Sequence, residues 1–105
     1  MEVDILGTKY NIDFRKEVND KKLKNADGYA ELYTKKLIIE EVEEDDNTFE
    51  GLDKYKNKVI RHEIIHAMFY EAGHAAYGRD EGLVDSLSIL VPKLLKVFKS
   101  INVLD

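Results

Sequence analysis

The spacing of apolar residues changes near the middle of the chain. In the first half, apolar and polar residues alternate over short runs, and in one run Tyr10, Ile12 and Phe14 fall on the same face. Over residues 52–72, apolar residues instead recur at intervals of three and four positions. Because side chains repeat every two residues in a strand and about every 3.6 residues in a helix, the pattern predicts strands followed by helices.

Four short strands are predicted in the first half, at residues 3–6, 9–14, 29–33 and 36–41. Gly7-Thr8 is the expected turn of the first hairpin, and Thr34-Lys35 joins the last two strands. Residues 15–27 are polar and rich in Lys, Asn and Asp, which predicts a loop or a short helical turn. An acidic run at residues 40–46 is interpreted as a solvated loop, because it lacks the spacing of a calcium-binding EF-hand.

Helices are predicted in the second half. The first covers residues 52–72, and Gly73 follows it where a C-terminal cap is expected. Asp80 has a suitable side chain to cap the start of the next helix, and Pro92 is expected to kink that helix or to begin a new one over residues 93–101. The predicted fold class is α+β, with a small antiparallel sheet in the N-terminal half packed on the first helix and a second, C-terminal helix.

Composition and charge narrow the class of protein. The chain has 105 residues, 44% hydrophobic and 35% charged, which is typical of one globular domain over residues 1–105. A net charge of −5 gives no electrostatic support for binding nucleic acid or an anionic membrane, and the short basic run at residues 21–24 is interpreted as a solvated turn. No leader or membrane span is recognised, so a cytoplasmic protein is expected. The absence of cysteine excludes disulfides and thiolate metal sites.

One motif carries chemistry. Residues 62–66 read His-Glu-Ile-Ile-His, inside the first predicted helix. Positions i and i+4 lie on one face of a helix, so the imidazoles of His62 and His66 can reach a single zinc ion. Glu63 is rotated from that face by about one residue's turn, so it lies beside the metal and can act as a general base toward water activated by it. The pattern predicts a zinc hydrolase, most often one that cleaves peptide bonds.

A catalytic zinc usually has three protein ligands, and two residues are candidates for the third. Glu81 begins the next predicted helix, and Asp85 follows one turn later on the same face, where its carboxylate could accept the free N–H of a ligating histidine. His74, eight residues after His66, is the alternative ligand. The supporting carboxylate of Asp85 makes Glu81 the preferred choice over His74.

These residues resemble a known family. His62-Glu63-x-x-His66 followed by Glu81-x-x-x-Asp85 is similar to the gluzincin peptidases, and the small size resembles the minigluzincins. Residues 59–73 resemble small phage- and prophage-encoded metallopeptidases, a group related to the ImmA/IrrE-like peptidases. The resemblance implies a zincin-like fold, zinc ligands at His62, His66 and Glu81, and a cell that is bacterial or phage-infected. It also implies that a sheet edge among residues 28–41 binds an extended peptide.

The chain departs from the family pattern in two places. Asp80-Glu81-Gly82 stands where relatives have Asn-Glu-Glu, and His74 replaces an apolar residue. Gluzincins also need a donor for the oxyanion. Tyr77 and His74, in the loop before Glu81, are the candidates for this role, and Tyr70 is a lesser one.

The function predicted from the sequence is a zinc-dependent peptidase that acts on a protein or peptide. The alternative is a zinc-stabilised module, weakly active or inactive, that acts on a host protein by binding it. No nucleic acid and no membrane is expected as a partner, and the substrate and the oligomeric state are not readable from the residues.

Overall fold

The computed structural model describes residues 1–42 and 50–105. They form four strands and three helices, which are β1 (Glu2–Ile5), β2 (Thr8–Arg15), β3 (Gly28–Glu31), β4 (Lys36–Glu40), α1 (Leu52–Glu71), α2 (Ala75–Gly78) and α3 (Glu81–Ser100). Two short 3-10 turns, Glu17–Asn19 and Lys21–Lys24, connect β2 to β3. The predicted α+β class is confirmed. Most of the predicted acidic loop, residues 43–46, lies outside the described residues.

The four strands form one sheet in the order β1-β2-β4-β3. The outer pairs, β1 with β2 and β3 with β4, are antiparallel hairpins, but β2 and β4 are parallel. The prediction of an antiparallel sheet is therefore wrong for the central pair, and the sheet is mixed. After β2 the chain crosses over through residues 16–27 before it forms the second hairpin, so the second strand of that hairpin, β4, runs in the same direction as β2.

The first hairpin turns one residue earlier than predicted. Ile5 pairs with Thr8, so the turn consists of Leu6 and Gly7. Both have positive φ, 52° and 91°, as in the two-residue turns that fit the twist of a hairpin. The carboxylate of Asp4 accepts the N–H of Gly7 at 2.7 Å, which stabilises the turn.

One face of the sheet packs on α1. The core cluster consists of Ile5, Tyr10, Ile12, Leu37, Ile39 and Ala67. The central strand β4 is the most completely buried part of the sheet, because helix α1 covers one face of it and Ile38 is buried on the other. This core fixes α1 against the sheet and so determines which helical residues face the neighbouring β3.

The predicted helix caps are confirmed. Gly73 has a φ of 80°, and its N–H and that of His74 donate to the carbonyls of Tyr70 and Phe69 at 3.1 and 2.8 Å. Asp80 caps α3 by accepting the N–H of Leu83 at 3.0 Å. The two caps hold α1 and α3 on either side of the short α2.

Helix α3 runs without a break from Glu81 to Ser100, and Pro92 lies inside it. The expectation that a new helix begins at residue 93 is therefore wrong. Within the part of the chain that the structure describes, no helix is long and apolar enough to span a bilayer.

Candidate metal centre and its cleft

A cleft of about 810 Å³ lies between β3, the middle of α1 and the start of α3. Helix α1 contributes one continuous face to it, consisting of Tyr55, Lys58, Val59, His62, Glu63 and His66. These residues are three or four positions apart, or adjacent, so they lie along one side of the helix. The opposite walls come from residues 26–30, Leu32, Gly78, Arg79, Glu81 and Asp85.

Three predicted ligands come together at the cleft. Nε2 of His62 and Nε2 of His66 lie 3.1 Å apart. One carboxylate oxygen of Glu81, Oε2, lies 2.9 Å from Nε2 of His62, and the other, Oε1, lies 3.0 Å from Nε2 of His66. Donor atoms of the three residues all fall within 4.8 Å of one another, a grouping that could hold a metal ion.

The donor set fits a divalent transition metal. At the usual bond lengths of about 2.0–2.1 Å, donors in a tetrahedral site are separated by roughly 3.3 Å, close to the separations found here. Two imidazoles and one carboxylate are the ligands of many catalytic zinc sites, although manganese, cobalt and nickel accept the same set. The chemistry of the residues therefore fits zinc without identifying it.

His66 is held in the tautomer that metal binding needs. Its Nδ1 lies 2.6 Å from the carbonyl oxygen of Gly78. Because a carbonyl only accepts, the proton must be on Nδ1, which leaves the lone pair of Nε2 free for a metal. Gly78 approaches α1 so closely that a Cβ at this position would lie 3.1 Å from Cβ of Phe69. The absence of a side chain at Gly78 is what allows this contact.

Asp85 lies beside His62, as predicted, but not at hydrogen-bond distance. Its Oδ1 is 3.6 Å from Nδ1 of His62, and the same oxygen is 3.4 Å from Nζ of Lys58. A separation of 3.6 Å is an electrostatic contact and not a hydrogen bond. Asp85 is thus the ion-pair partner of Lys58 and lies near His62 without a hydrogen bond to it.

Glu63 is buried at the side of the cleft. Only 5% of the residue is exposed, and no hydrogen bond from the described residues reaches its carboxylate. Burial, together with the negative charge of Glu81, raises the pKa of Glu63 to about 8 in the metal-free chain. A bound cation would act in the opposite direction, because a nearby positive charge favours the carboxylate.

Gly28 lets the start of β3 lie directly over Glu63. A Cβ on Gly28 would be 2.8 Å from the carbonyl oxygen of Ile38 and 3.4 Å from Cγ of Glu63. It would also lie 3.0 Å from Cγ1 of Val59 in α1, so any larger residue would push β3 away from both β4 and α1. The burial of Glu63 therefore depends on a glycine in the sheet.

The open edge of β3 faces the same cleft. The N–H of Glu40 donates to the carbonyl of Asp27, which makes these two a hydrogen-bonded pair of the hairpin. Such pairs alternate with pairs whose backbone groups point away from the partner strand. Gly28 and Ala30, which occupy the alternate positions, therefore direct their N–H and C=O groups toward the open edge.

The remaining candidates lie elsewhere. His74 and Tyr77 face each other with ring centres 5.6 Å apart, and Tyr77 also lies against Phe69. The ring of Tyr70 packs against Tyr33 and under Lys35. Among the described residues, His74, Tyr77 and Tyr70 do not line the cleft, and His74 is not part of the ligand grouping.

Seven residues that line the cleft were not part of the predicted site, namely Ala26, Asp27, Tyr55, Lys58, Val59, Gly78 and Arg79. Counting back from His62 by four and by seven positions on the helix reaches Lys58 and Tyr55, so periodicity could have indicated both. Gly78 and Arg79 have no such signal, because the short α2 and the residue after it are too few to show a periodic pattern. Lys58 and Arg79 add charged donors to the cleft, whereas the hydroxyls of Tyr55 and Tyr29, which also line it, donate to Asp27 and Asp20.

Comparisons of the chain with protein-family models, with curated proteins and with solved structures found no match. The resemblance to gluzincins therefore depends on the motif residues of the sequence alone.

Proposed function

We propose that the protein is a zinc-dependent peptidase of the small gluzincin type. The observation that carries the proposal is the grouping of His62, His66 and Glu81 beside the buried Glu63, in a cleft bordered by an open strand edge. His62, His66 and Glu81 would hold the metal. A zinc ion bound there would supply a Lewis acid that polarises a carbonyl and lowers the pKa of water.

The role proposed for Glu63 is proton transfer. Its carboxylate lines the cleft next to the three donors and has no competing hydrogen bond from the described residues. It is therefore free to accept a proton from the attacking water and to pass it to the leaving amine. Lys58 and Arg79 are side chains of the cleft that could donate hydrogen bonds to the developing oxyanion.

The substrate is proposed to bind in an extended conformation along β3. The outward N–H and C=O groups of Gly28 and Ala30 provide backbone hydrogen bonds that are independent of the substrate's side chains. Because this edge borders the same cleft as Glu63, a strand added there would pass beside the candidate metal centre.

The test combines metal content with cleavage of an unfolded protein, followed by mass spectrometry. We expect one zinc per chain in the wild type, loss of zinc in Glu81→Ala and retention in the control His74→Ala. Glu63→Gln should retain zinc and lose activity by about 10²–10⁴-fold, the usual contribution of general-base catalysis. Full activity in Glu63→Gln would sink the proposal.

A second candidate function is a metal-stabilised module that acts by binding another protein. It is favoured by the C-terminal half of α3 and the residue that follows it, where Leu90, Leu94, Val97 and Ile101 are 50%, 48%, 53% and 64% exposed. These residues are spaced by four, three and four positions, so they form one apolar stripe suited to a helical partner. A partner retained equally by wild type and Glu63→Gln, released by Leu94→Glu and never cleaved, would favour this function.

A further inference from the structure

Pro92 leaves one backbone acceptor of α3 without its helical donor. In a regular helix the N–H of residue 92 would donate to the carbonyl of Ser88, four residues earlier. Proline has no N–H, and its ring also crowds that carbonyl. The helix nevertheless continues through this position. Ser88 is fully buried, so water is not available at its side chain to compensate.

Arg61 supplies the missing donor. Its Nε donates to the carbonyl oxygen of Ser88 at 2.9 Å, a good length for a charge-assisted hydrogen bond. Among the described residues no carboxylate lies within ion-pair distance of Arg61, so this bond is the polar contact that its side chain makes there. A charged donor on α1 thus binds a backbone acceptor that belongs to α3.

The bond lies directly next to the candidate metal centre. Arg61 precedes His62 in α1, and Ser88 follows Asp85 by one helical turn in α3. His62 and His66 contact Glu81, Lys58 and His62 contact Asp85, and Arg61 contacts Ser88. Polar contacts from α1 therefore follow one another along α3, from Glu81 at the candidate metal centre through Asp85 to Ser88.

We propose that Arg61 is a positioning residue, which clamps α3 against α1 and thereby sets the distance from Glu81 to His62 and His66. This inference rests on the proposed metal centre. Glu81 is 71% exposed at its side chain, so little packing holds it in place. The backbone that carries it must be fixed from elsewhere, and the bond from Arg61 to Ser88 is a direct polar link between the two helices.

The experiment measures the affinity for Zn²⁺ by competition with a chelator, at a temperature where circular dichroism shows each variant to be folded. Arg61→Met removes the donor but keeps most of the side chain's length. We expect it to bind Zn²⁺ about tenfold more weakly, as is usual when a group supporting a metal ligand is lost. Arg61→Lys keeps a donor and should remain close to wild type, and Lys96→Met, an exposed lysine of α3, is the control for charge.

A second variant distinguishes two roles of Arg61. In one, Arg61 positions α3 against α1; in the other, it only supplies the hydrogen bond that Ser88 loses because of Pro92. In Arg61→Met/Pro92→Ala the alanine introduced at position 92 has an N–H that can bond to the Ser88 carbonyl, so α3 is satisfied within itself. A clamp predicts that this double variant regains stability against urea but still binds Zn²⁺ weakly. It also provides a folded protein to test if Arg61→Met alone does not fold.

Two results would overturn the inference while leaving the metal centre in place. One is an Arg61→Met protein that binds Zn²⁺ as tightly as wild type. The other is a double variant that regains the affinity as well as the stability. If the wild type itself binds no Zn²⁺, the proposed metal centre fails first, and the clamp fails with it.

Discussion

Two glutamates on the same helix, Glu63 and Glu71, have opposite surroundings. Glu71 lies at the end of α1 and is surrounded by donors, with Nζ of Lys35 at 2.8 Å, the hydroxyl of Tyr10 at 2.5 Å and that of Thr8 at 2.9 Å. Glu63 lies in the cleft and receives no hydrogen bond from the described residues. The carboxylate of Glu71 links α1 to Thr8 and Tyr10 of β2 and to Lys35. The carboxylate of Glu63 accepts no hydrogen bond from the described residues.

The difference appears in the pKa values. Hydrogen bonds from Lys35 and then from Tyr10 lower the pKa of Glu71 to about 2, whereas burial raises that of Glu63 to about 8. Donors stabilise the charged form, and burial without donors disfavours it. Position on one helix therefore does not decide what a carboxylate does. The partners brought by other elements decide whether it is held by hydrogen bonds or left without them.

Removing the donor-rich glutamate should have the largest effect on stability. Glu71→Ala leaves the buried hydroxyl of Tyr10 and the ammonium of Lys35 without their acceptor, so we expect a loss of about 3 kcal/mol in the free energy of unfolding. Urea unfolding in the presence of a chelator measures it. Zn²⁺ affinity of the folded variant should not change. Glu31→Ala, at a more exposed glutamate, is the control, and an equal loss there would contradict the comparison.

Acid should remove the same stabilisation in the wild type. The pKa of Glu71 is lowered in the folded chain to about 2 from an ordinary value of 4.5. Its contribution is therefore complete above pH 4.5 and is lost as the pH falls toward 2. We expect about 2 kcal/mol, since partial solvation reduces the full linkage value. Metal-free Glu71→Gln should show a flatter decline over that range, and parallel curves would refute the assignment.

On the cleft side, Gly78→Ala tests how much the geometry of His66 depends on a missing side chain. The new Cβ would press on Phe69 and move the Gly78 carbonyl away from Nδ1 of His66. Zn²⁺ affinity should fall about tenfold, roughly 1.4 kcal/mol. Gly82→Ala adds the same methyl group where only an ordinary contact is found, and it should bind like wild type. Equal affinities in the two variants would argue against the role of Gly78.

The smallest effect is expected at Lys58. Its ion pair with Asp85 is long, 3.4 Å, and both side chains are more than a third exposed. Such pairs contribute less than about 1 kcal/mol, so Lys58→Met should change Zn²⁺ affinity by less than about fivefold. Chelator competition measures the affinity. A larger loss would mean that the Lys58–Asp85 pair is important for Zn²⁺ binding, as the Lys35–Glu71 pair is expected to be for stability.

Local patterns predicted most of the elements. The two-residue alternation around Tyr10 and the helical spacing around His62 each depend on neighbouring residues alone, and the caps at Gly73 and Asp80 do so as well. The parallel pairing of β2 with β4 could not be predicted in this way. Alternation says which face of a strand is buried, but it does not say which strand lies beside it.

The candidate site shows the same limit. His62, Glu63 and His66 are placed by the geometry of one helix, and Glu81 by a spacing that suits a second helix. Gly78 and Arg61 act through contacts with a different element, so no local pattern marks them. No local pattern indicated that α3 continues past Pro92, because the donor to the Ser88 carbonyl, Arg61, lies on a different helix.

The contacts of Glu71 also bear on how long the folded protein survives. They join residues 61 and 63 positions apart in the chain, whereas the metal donors all lie between residues 62 and 81. Contacts that close long loops tend to form late in folding, and those absent from the transition state mainly slow unfolding. Glu71→Gln should therefore unfold faster in stopped-flow experiments while folding at nearly the wild-type rate. The contacts of Glu71 at the end of α1 would then set the lifetime of the folded helix that carries the candidate metal donors.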